Sequence, residues 1–232
     1  MIFFDIGSTL IDGPSIGPAR RLAEALALGQ PAVKKLEHLL FRTPSDNPEV
    51  LAARMAENLG VDRDAAIQAC SDLWLAQLRE AYVLPGALDA VRELAAAGLP
   101  RAYLSNIWPP FYEHFRREFA EEMANPQFLS FRTGLMKPDP EFFLHALRET
   151  GVRPEQATMV GDTYLNDILP AIELGMRTVW ILHRPEKERT ALVGVLNGQL
   201  PSPNLTLASI GELNSCKLSN INSSARPNFS AA

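Results

Sequence analysis

The chain opens with an unbroken apolar run, MIFF, that stops at Asp5 and enters a small, hydroxyl-rich turn, IGSTLIDG. A short run of β-forming residues with no polar alternation predicts a strand buried on both faces. After DGPSIGP the apolar positions switch to the helical period and keep it to about Ala81. ARRLAEALALG sets Leu22, Ala25 and Leu26 at helical spacing and ends at Gly29. AVKKLEHLLFR does the same with Val33, Leu36, Leu39 and Leu40. DNPEVLAARMAENLG starts on polar capping residues, places Pro48 in the first turn and ends at Gly60. DRDAAIQACSDLWLAQLREA offers Ile67, Leu73, Trp74 and Leu78 for packing. Four amphipathic helices with no strand between them predict a small bundle.

From LPGALDAVRELAAAGLP onward, helices alternate with strands. The runs RAYLSN, QFLSF, ATMVGD, RTVWIL and a weak NLTLASI are expected strands. PPFYEHFRREFAEE and DPEFFLHALRETG are expected helices. Such alternation predicts a parallel sheet covered by helices on both faces. The expected fold is therefore α/β, a Rossmann-like parallel sheet core with an inserted four-helix cap. Residues 1–13 and 82–213 are assigned to the core, 14–81 to the cap, and 214–232 to a polar, loosely held tail.

Composition narrows the partners. With 232 residues, 47% hydrophobic, the chain has enough apolar surface for an ample core. A net charge of -5 argues against sequence-independent nucleic-acid binding, which needs a basic face. Cys70 and Cys216 lie far apart and suit neither a disulfide framework nor a zinc site, so a reducing, cytoplasmic setting is expected. No signal peptide and no membrane span are expected either.

Ligands of open parallel sheets bind beyond the carboxyl ends of the strands. Asp5, Ser105-Asn106, Lys137, and Asp162 with Asp167 all follow expected strands. If those strands are neighbours, several carboxylates, a lysine and a hydroxyl converge. Close carboxylates repel one another unless a cation lies between them, and Mg²⁺ prefers oxygen ligands. The lysine adds positive charge for an anionic substrate. Phosphoryl transfer, in which catalysis is mostly positioning and charge neutralisation, suits this set, with Asp5 as a nucleophile at the strand tip.

DIGST, LSN, GLMKPDPEFF and VGDTYLNDI, in that order, resemble the four motifs of the haloacid dehalogenase-like (HAD) hydrolase superfamily. The likeness covers roughly residues 1–213. It implies an aspartyl-phosphate on Asp5, with Lys137 as a second catalytic group. Thr9, Ser105, Asn106 and Lys137 would bind a small phosphorylated molecule. Mg²⁺ would be held by Asp5, the Gly7 carbonyl and Asp162, with Asp167 supporting it directly or through water.

Gly7 departs from the pattern, because phosphatases of this family usually carry a second Asp there as general acid and base. Glycine keeps the carbonyl for the metal and loses the proton transfer, a contribution typically worth about 10²–10⁴-fold. A slow phosphohydrolase is one reading of that change. A phospho-ligand-binding or interaction protein without catalysis is another. Haloacid dehalogenases also lack the Asp, but their fourth motif lacks the Gly161-Asp162 pair. Phosphonoacetaldehyde hydrolases use a cap lysine, and Lys34 and Lys35 have surroundings unlike that motif. Taken singly, Asp162 and Asp167 also read as helix-capping acids and Ser105-Asn106 as a turn. Asp12 is read as a structural turn acid and Trp108 as a packing residue. His38, His114, His145 and His183 are expected on helix surfaces or loops.

Overall fold

Alternation along β1 (Ile2–Phe4) feeds two apolar clusters at once: Ile2 and Phe4 enter one, Phe3 the other. The same split recurs on β4 (Arg101–Ser105), where Tyr103 joins the first cluster and Ala102 and Leu104 the second. A sheet buried on both faces follows from strands with no polar alternation. The computed structural model describes residues 1–223.

Between β1 and β4 the chain forms β2 (Ile11–Asp12), four helices and β3 (Tyr82–Val83). The helices are α1 (Pro18–Ala25), α2 (Gln30–Arg42), α3 (Pro48–Leu59) and α4 (Arg63–Glu80). They form a bundle around Leu22, Leu36, Leu40, Leu51, Met55 and Leu73. Asn47 and Asp62 cap α3 and α4 through the N–H groups of Val50 and Ala65. The four-helix insertion is thus present. It leaves and re-enters the core through an antiparallel pair, Ile11 with Val83 and Asp12 with Tyr82. Two-residue strands carry too little periodicity to be read from sequence.

After α5 (Ala87–Ala96) and β4 come α6 (Pro109–Glu118), β5 (Gln127–Leu129), α7 (Ser130–Thr133), α8 (Pro140–Thr150), β6 (Thr158–Gly161), α9 (Leu169–Glu173), β7 (Arg177–Ile181), α10 (Arg189–Leu196), β8 (Leu205–Leu207) and α11 (Ser215–Ser223). The sheet runs β5-β4-β1-β6-β7-β8, and every pairing in it is parallel. This is the α/β fold the alternation implies. Because β4 and β6 flank β1, the loops after these three strands meet at one edge.

Two expectations need correction. QFLSF is a strand only through Leu129, since Ser130 and Phe131 begin α7. The stretch assigned to a loose tail is helical over Ser215–Ser223, with Leu218 and Ile221 buried in the first cluster. That i, i+3 apolar pair supplies one docking face, too short a signal among polar neighbours to read as a helix. Residues 224–232, also assigned to the tail, lie outside the described residues. Among the described residues no helix is long and apolar enough to cross a membrane.

Candidate active site

Lys137 is the centre of the site. Its Nζ donates to Asp5 Oδ1 at 2.7 Å and to Asp167 Oδ1 at 2.5 Å, and the side chain is almost wholly buried. Burial works against the ammonium charge, but Asp167 and Asp5 outweigh it and hold the lysine above its usual range. The loop bearing it is fixed by Asn106. That side chain accepts from Lys137 N and donates to Lys137 O, both at 2.8 Å. Asn106, expected to bind substrate, here clamps the backbone of Lys137, although it also reaches the cavity wall.

Asp162 follows β6 directly, and Asp167 is carried by a single π-helical turn, Tyr164–Ile168. Wide turns of this kind often mark functional sites. Asp167 Oδ2 accepts from Thr163 N at 3.0 Å, which turns the carboxylate back over β6. Gly161 makes that approach feasible: a Cβ there would lie 2.5 Å from the Asp167 side chain. The glycine of the Gly161-Asp162 pair therefore leaves space for the second acid.

Asp5, Asp162 and Asp167 are all buried, with one oxygen of each within 4.8 Å of the others. Burial, then the charges of Asp167 and Asp5, push Asp162 well above the carboxylate range against the pull of Arg184. Burial pushes Asp167 up to about 6, with Asp5 adding to it and Lys137 opposing it. Three crowded carboxylates thus resist carrying three charges together. An all-oxygen donor set with this excess of negative charge fits a hard divalent cation.

A cavity of about 290 Å³ opens over this cluster, with Asp5, Gly7, Asn106, Lys137, Asp162 and Asp167 on its wall. Two expected substrate contacts are absent from that wall. Thr9 is fully buried behind it and donates to Asp5 Oδ2 at a long 3.5 Å. Ser105, the last residue of β4, is also fully buried, and its Oγ has no protein partner.

Gly7 shows no sign of a repacked or strained position. Among the described residues, adjoining ones aside, a Cβ there would meet only Phe111 Cε1, at 3.8 Å, and its φ lies outside the left-handed region. Ser8, in contrast, has φ 61 and donates to Asp12 at 3.2 Å. Asp12 also accepts from Gly13 N at 2.9 Å and lies 3.5 Å from His183 Nε2. Burial raises its pKa, but these hydrogen bonds and nearby Arg184 outweigh that and hold it below the usual carboxylate range. That makes Asp12 a poor proton donor, in keeping with a turn-stabilising role.

Of the histidines, His114 departs from expectation in being buried, its Nδ1 3.0 Å from Arg117, and it lines neither this cavity nor its neighbour. Trp108 packs into the helical bundle, and its Nε1 donates to Gln77 at 3.3 Å. Lys34 and Lys35 are exposed on α2 and do not line the cavity.

Sequence reasoning passed over Arg184. Its Nη2 donates to Asp162 Oδ2 at 2.7 Å, and it lines the cavity. The same strand-end rule that picked out Asp5 would have found it, since HR follows RTVWIL. Glu37 and Phe41 from α2 also face the cavity. No motif distinguishes them from other positions on that helix.

A family model described as haloacid dehalogenase-like hydrolase matches residues 1–175. The chain is 28% identical over 193 residues to a glyceraldehyde 3-phosphate phosphatase of Pyrococcus furiosus, covering 78% of this chain and 79% of the relative. It is 26% identical over 223 residues to phosphoglycolate phosphatase 1 of Pseudomonas aeruginosa, covering 87% and 78%. Among solved structures, a HAD family enzyme of Bacteroides thetaiotaomicron, in complex with magnesium and inorganic phosphate, superimposes with a TM-score of 0.56 at 18% identity. That match covers 78% of this chain and 92% of the other, and it speaks for the fold alone.

Proposed function

Because the chain belongs to the haloacid dehalogenase-like hydrolase family, we propose that it is a Mg²⁺-dependent phosphohydrolase of a small phosphorylated metabolite, working through Asp5. The observation that carries this reading is the buried cluster in which Lys137 joins Asp5 and Asp167 beside Asp162. The names of the two phosphatase relatives support the same class of substrate.

The cavity wall bears four carboxylates (Asp5, Glu37, Asp162 and Asp167) against two cations, Lys137 and Arg184. A phosphate dianion would be repelled from such a wall. Asp5, the Gly7 carbonyl, Asp162 and Asp167 would hold a divalent cation, which when bound would supply the positive charge this acidic wall lacks for a phosphate. Asp5 then attacks phosphorus, the bond to the leaving oxygen breaks, and the phosphoryl group rests on the Asp5 carboxylate. Water attacks that phosphorus in turn, releasing phosphate and restoring Asp5. Lys137 steadies the nucleophile and the charge building on the phosphoryl oxygens.

What the chain lacks is a proton donor at residue 7, and Asp12 is held ionised. Leaving groups that need no proton should therefore be favoured. That same lack is the observation favouring a second reading, a phospho-ligand binder without turnover. The dehalogenase reading has less support because Asp162 of the Gly161-Asp162 pair stands in the acidic cluster, and the Schiff-base reading because Lys34 and Lys35 of the insertion are exposed and do not line the cavity.

A screen of phosphate esters with and without Mg²⁺ separates the readings: Mg²⁺-dependent release of phosphate supports hydrolysis, and binding without release supports the alternative. The metal arm is calorimetric. Asp162→Asn is expected to weaken Mg²⁺ binding by at least about tenfold, roughly 1.4 kcal/mol. In the wild-type protein the affinity should fall as pH drops through about 6, where Asp167 takes up its proton and competes with the cation. Unchanged affinity in the variant would overturn the metal assignment.

A further inference from the structure

A second cavity, of about 220 Å³, adjoins the first and shares Gly7, Ser8, Phe41, Asn106 and Arg184 with it. Because the two meet at Gly7, close to Asp5 in the chain, the second is placed to receive the group that a phosphoryl at Asp5 carries.

The polar side chains of its wall are already engaged within the protein. Ser8 donates to Asp12, which also accepts from Gly13 N. Gln77 Oε1 accepts from Trp108 Nε1. Asn106 has both ends of its amide on the Lys137 backbone, and Arg184 is ion-paired to Asp162 and Asp12. Ser15 and Lys187 are exposed to solvent. What the wall offers a ligand is apolar, from Ile16, Phe41, Ile107, Trp108 and Phe111. Ile16 stands on the loop entering the insertion with 43% of its surface exposed. Phe111 is half-buried, its ring edge against the turn after Asp5. A Cβ at Gly13 would lie only 3.2 Å from its Cε2, so glycine there gives the ring its room.

A dry cavity of about 150 Å³ is enough to hold benzene, so this one has space for an aromatic ring. A hydroxylated chain entering it would give up hydrogen bonds to water and find few to replace them. An aromatic ring has none to give up and gains contact with Phe111. We propose that the second cavity takes an aromatic leaving group with Phe111 as its ring partner, so that the substrate class is the phosphate monoester of a phenol. The missing acid at residue 7 points the same way. A phenolate leaves with the electron pair of the broken P–O bond and takes its proton afterwards from water, where an alkoxide needs the proton as it departs. The inference rests on the phosphoryl pocket of the reading above and adds the chemistry of the leaving group.

The test uses ligands that cannot be hydrolysed, so that binding is measured apart from turnover. Phenylphosphonate and 2-hydroxyethylphosphonate are titrated calorimetrically, with Mg²⁺ present and at a pH where both are dianions, into the full-length wild-type chain and Phe111→Leu. The wild-type protein is expected to bind the phenyl compound at least about tenfold more tightly, and Phe111→Leu to shrink that ratio by about 3–10-fold. Because the ratio is internal to each protein, a general effect of the variant on the phosphoryl pocket cancels. Equal binding by the wild-type chain, or a preference for the hydroxyethyl compound, overturns the inference while leaving the phosphoryl pocket in place, and that arm requires no variant to fold. A ratio unchanged in Phe111→Leu overturns the assignment to Phe111. Failure of both ligands to bind the wild-type chain overturns the inference together with the phosphoryl pocket.

Discussion

Gly7→Asp is expected to raise the hydrolysis of alkyl phosphates by about 10²–10⁴-fold, roughly 3–5 kcal/mol of barrier. An alkoxide leaving group needs a proton as its bond to phosphorus breaks. Residue 7 lines both cavities, two positions after Asp5, and Asp12 is held too acidic to substitute. A filled space beside residue 7 or a left-handed backbone there would cancel the gain. Among the described residues, adjoining ones aside, the one atom within 4 Å of an added Cβ is Phe111 Cε1, at an ordinary contact distance of 3.8 Å. The backbone at Gly7 is also outside the left-handed region, so an Asp need not be strained there. The gain should be large for alkyl esters and small for p-nitrophenyl phosphate, whose leaving group needs no proton. Kinetics are compared in a variant whose melting temperature and Mg²⁺ affinity match the parent. A folded, Mg²⁺-binding variant with no gain toward any alkyl phosphate would show that an acid at residue 7 is not the missing piece.

Asp5→Asn is expected to abolish turnover, with a loss of at least about 10⁴-fold, because an amide oxygen does not displace the leaving group. The substitution keeps the side chain's size while removing one of the two carboxylates that Lys137 bridges. Ligand binding should survive. The wild-type protein offers a sharper readout. Without an acid–base group at residue 7 to activate water, the phosphorylated Asp5 should be consumed slowly and accumulate during turnover. Acid-quenched protein should then show, by intact-mass spectrometry, one added phosphoryl group that maps to Asp5 and is absent from Asp5→Asn. Retained turnover in the variant, or a phosphoryl group mapped elsewhere, would remove Asp5 as nucleophile.

Much of this was legible before any coordinates. Parallel strands all present their carboxyl ends at one edge, so Asp5, Lys137, Asp162 and Asp167 could be grouped from their places after apolar runs alone. The four helices of the insertion were readable because each is long enough to show its period. Tertiary structure alone decided which neighbours face the cavity. Ser105 and Thr9 stand behind its wall because the last strand residue and the turn after Asp5 direct their hydroxyls inward, and only packing sets that direction. Asn106 clamps the lysine loop through contacts 31 residues apart in sequence. The helix at Ser215–Ser223 is held by Leu218 and Ile221 docking on a core that the local pattern does not reveal. The sequence determined that residue 7 has no side chain, a matter of composition. Whether the space beside it stayed open depended on where Phe111 of α6 came to rest, which is set by the packing of distant elements and not by the order of residues around Gly7.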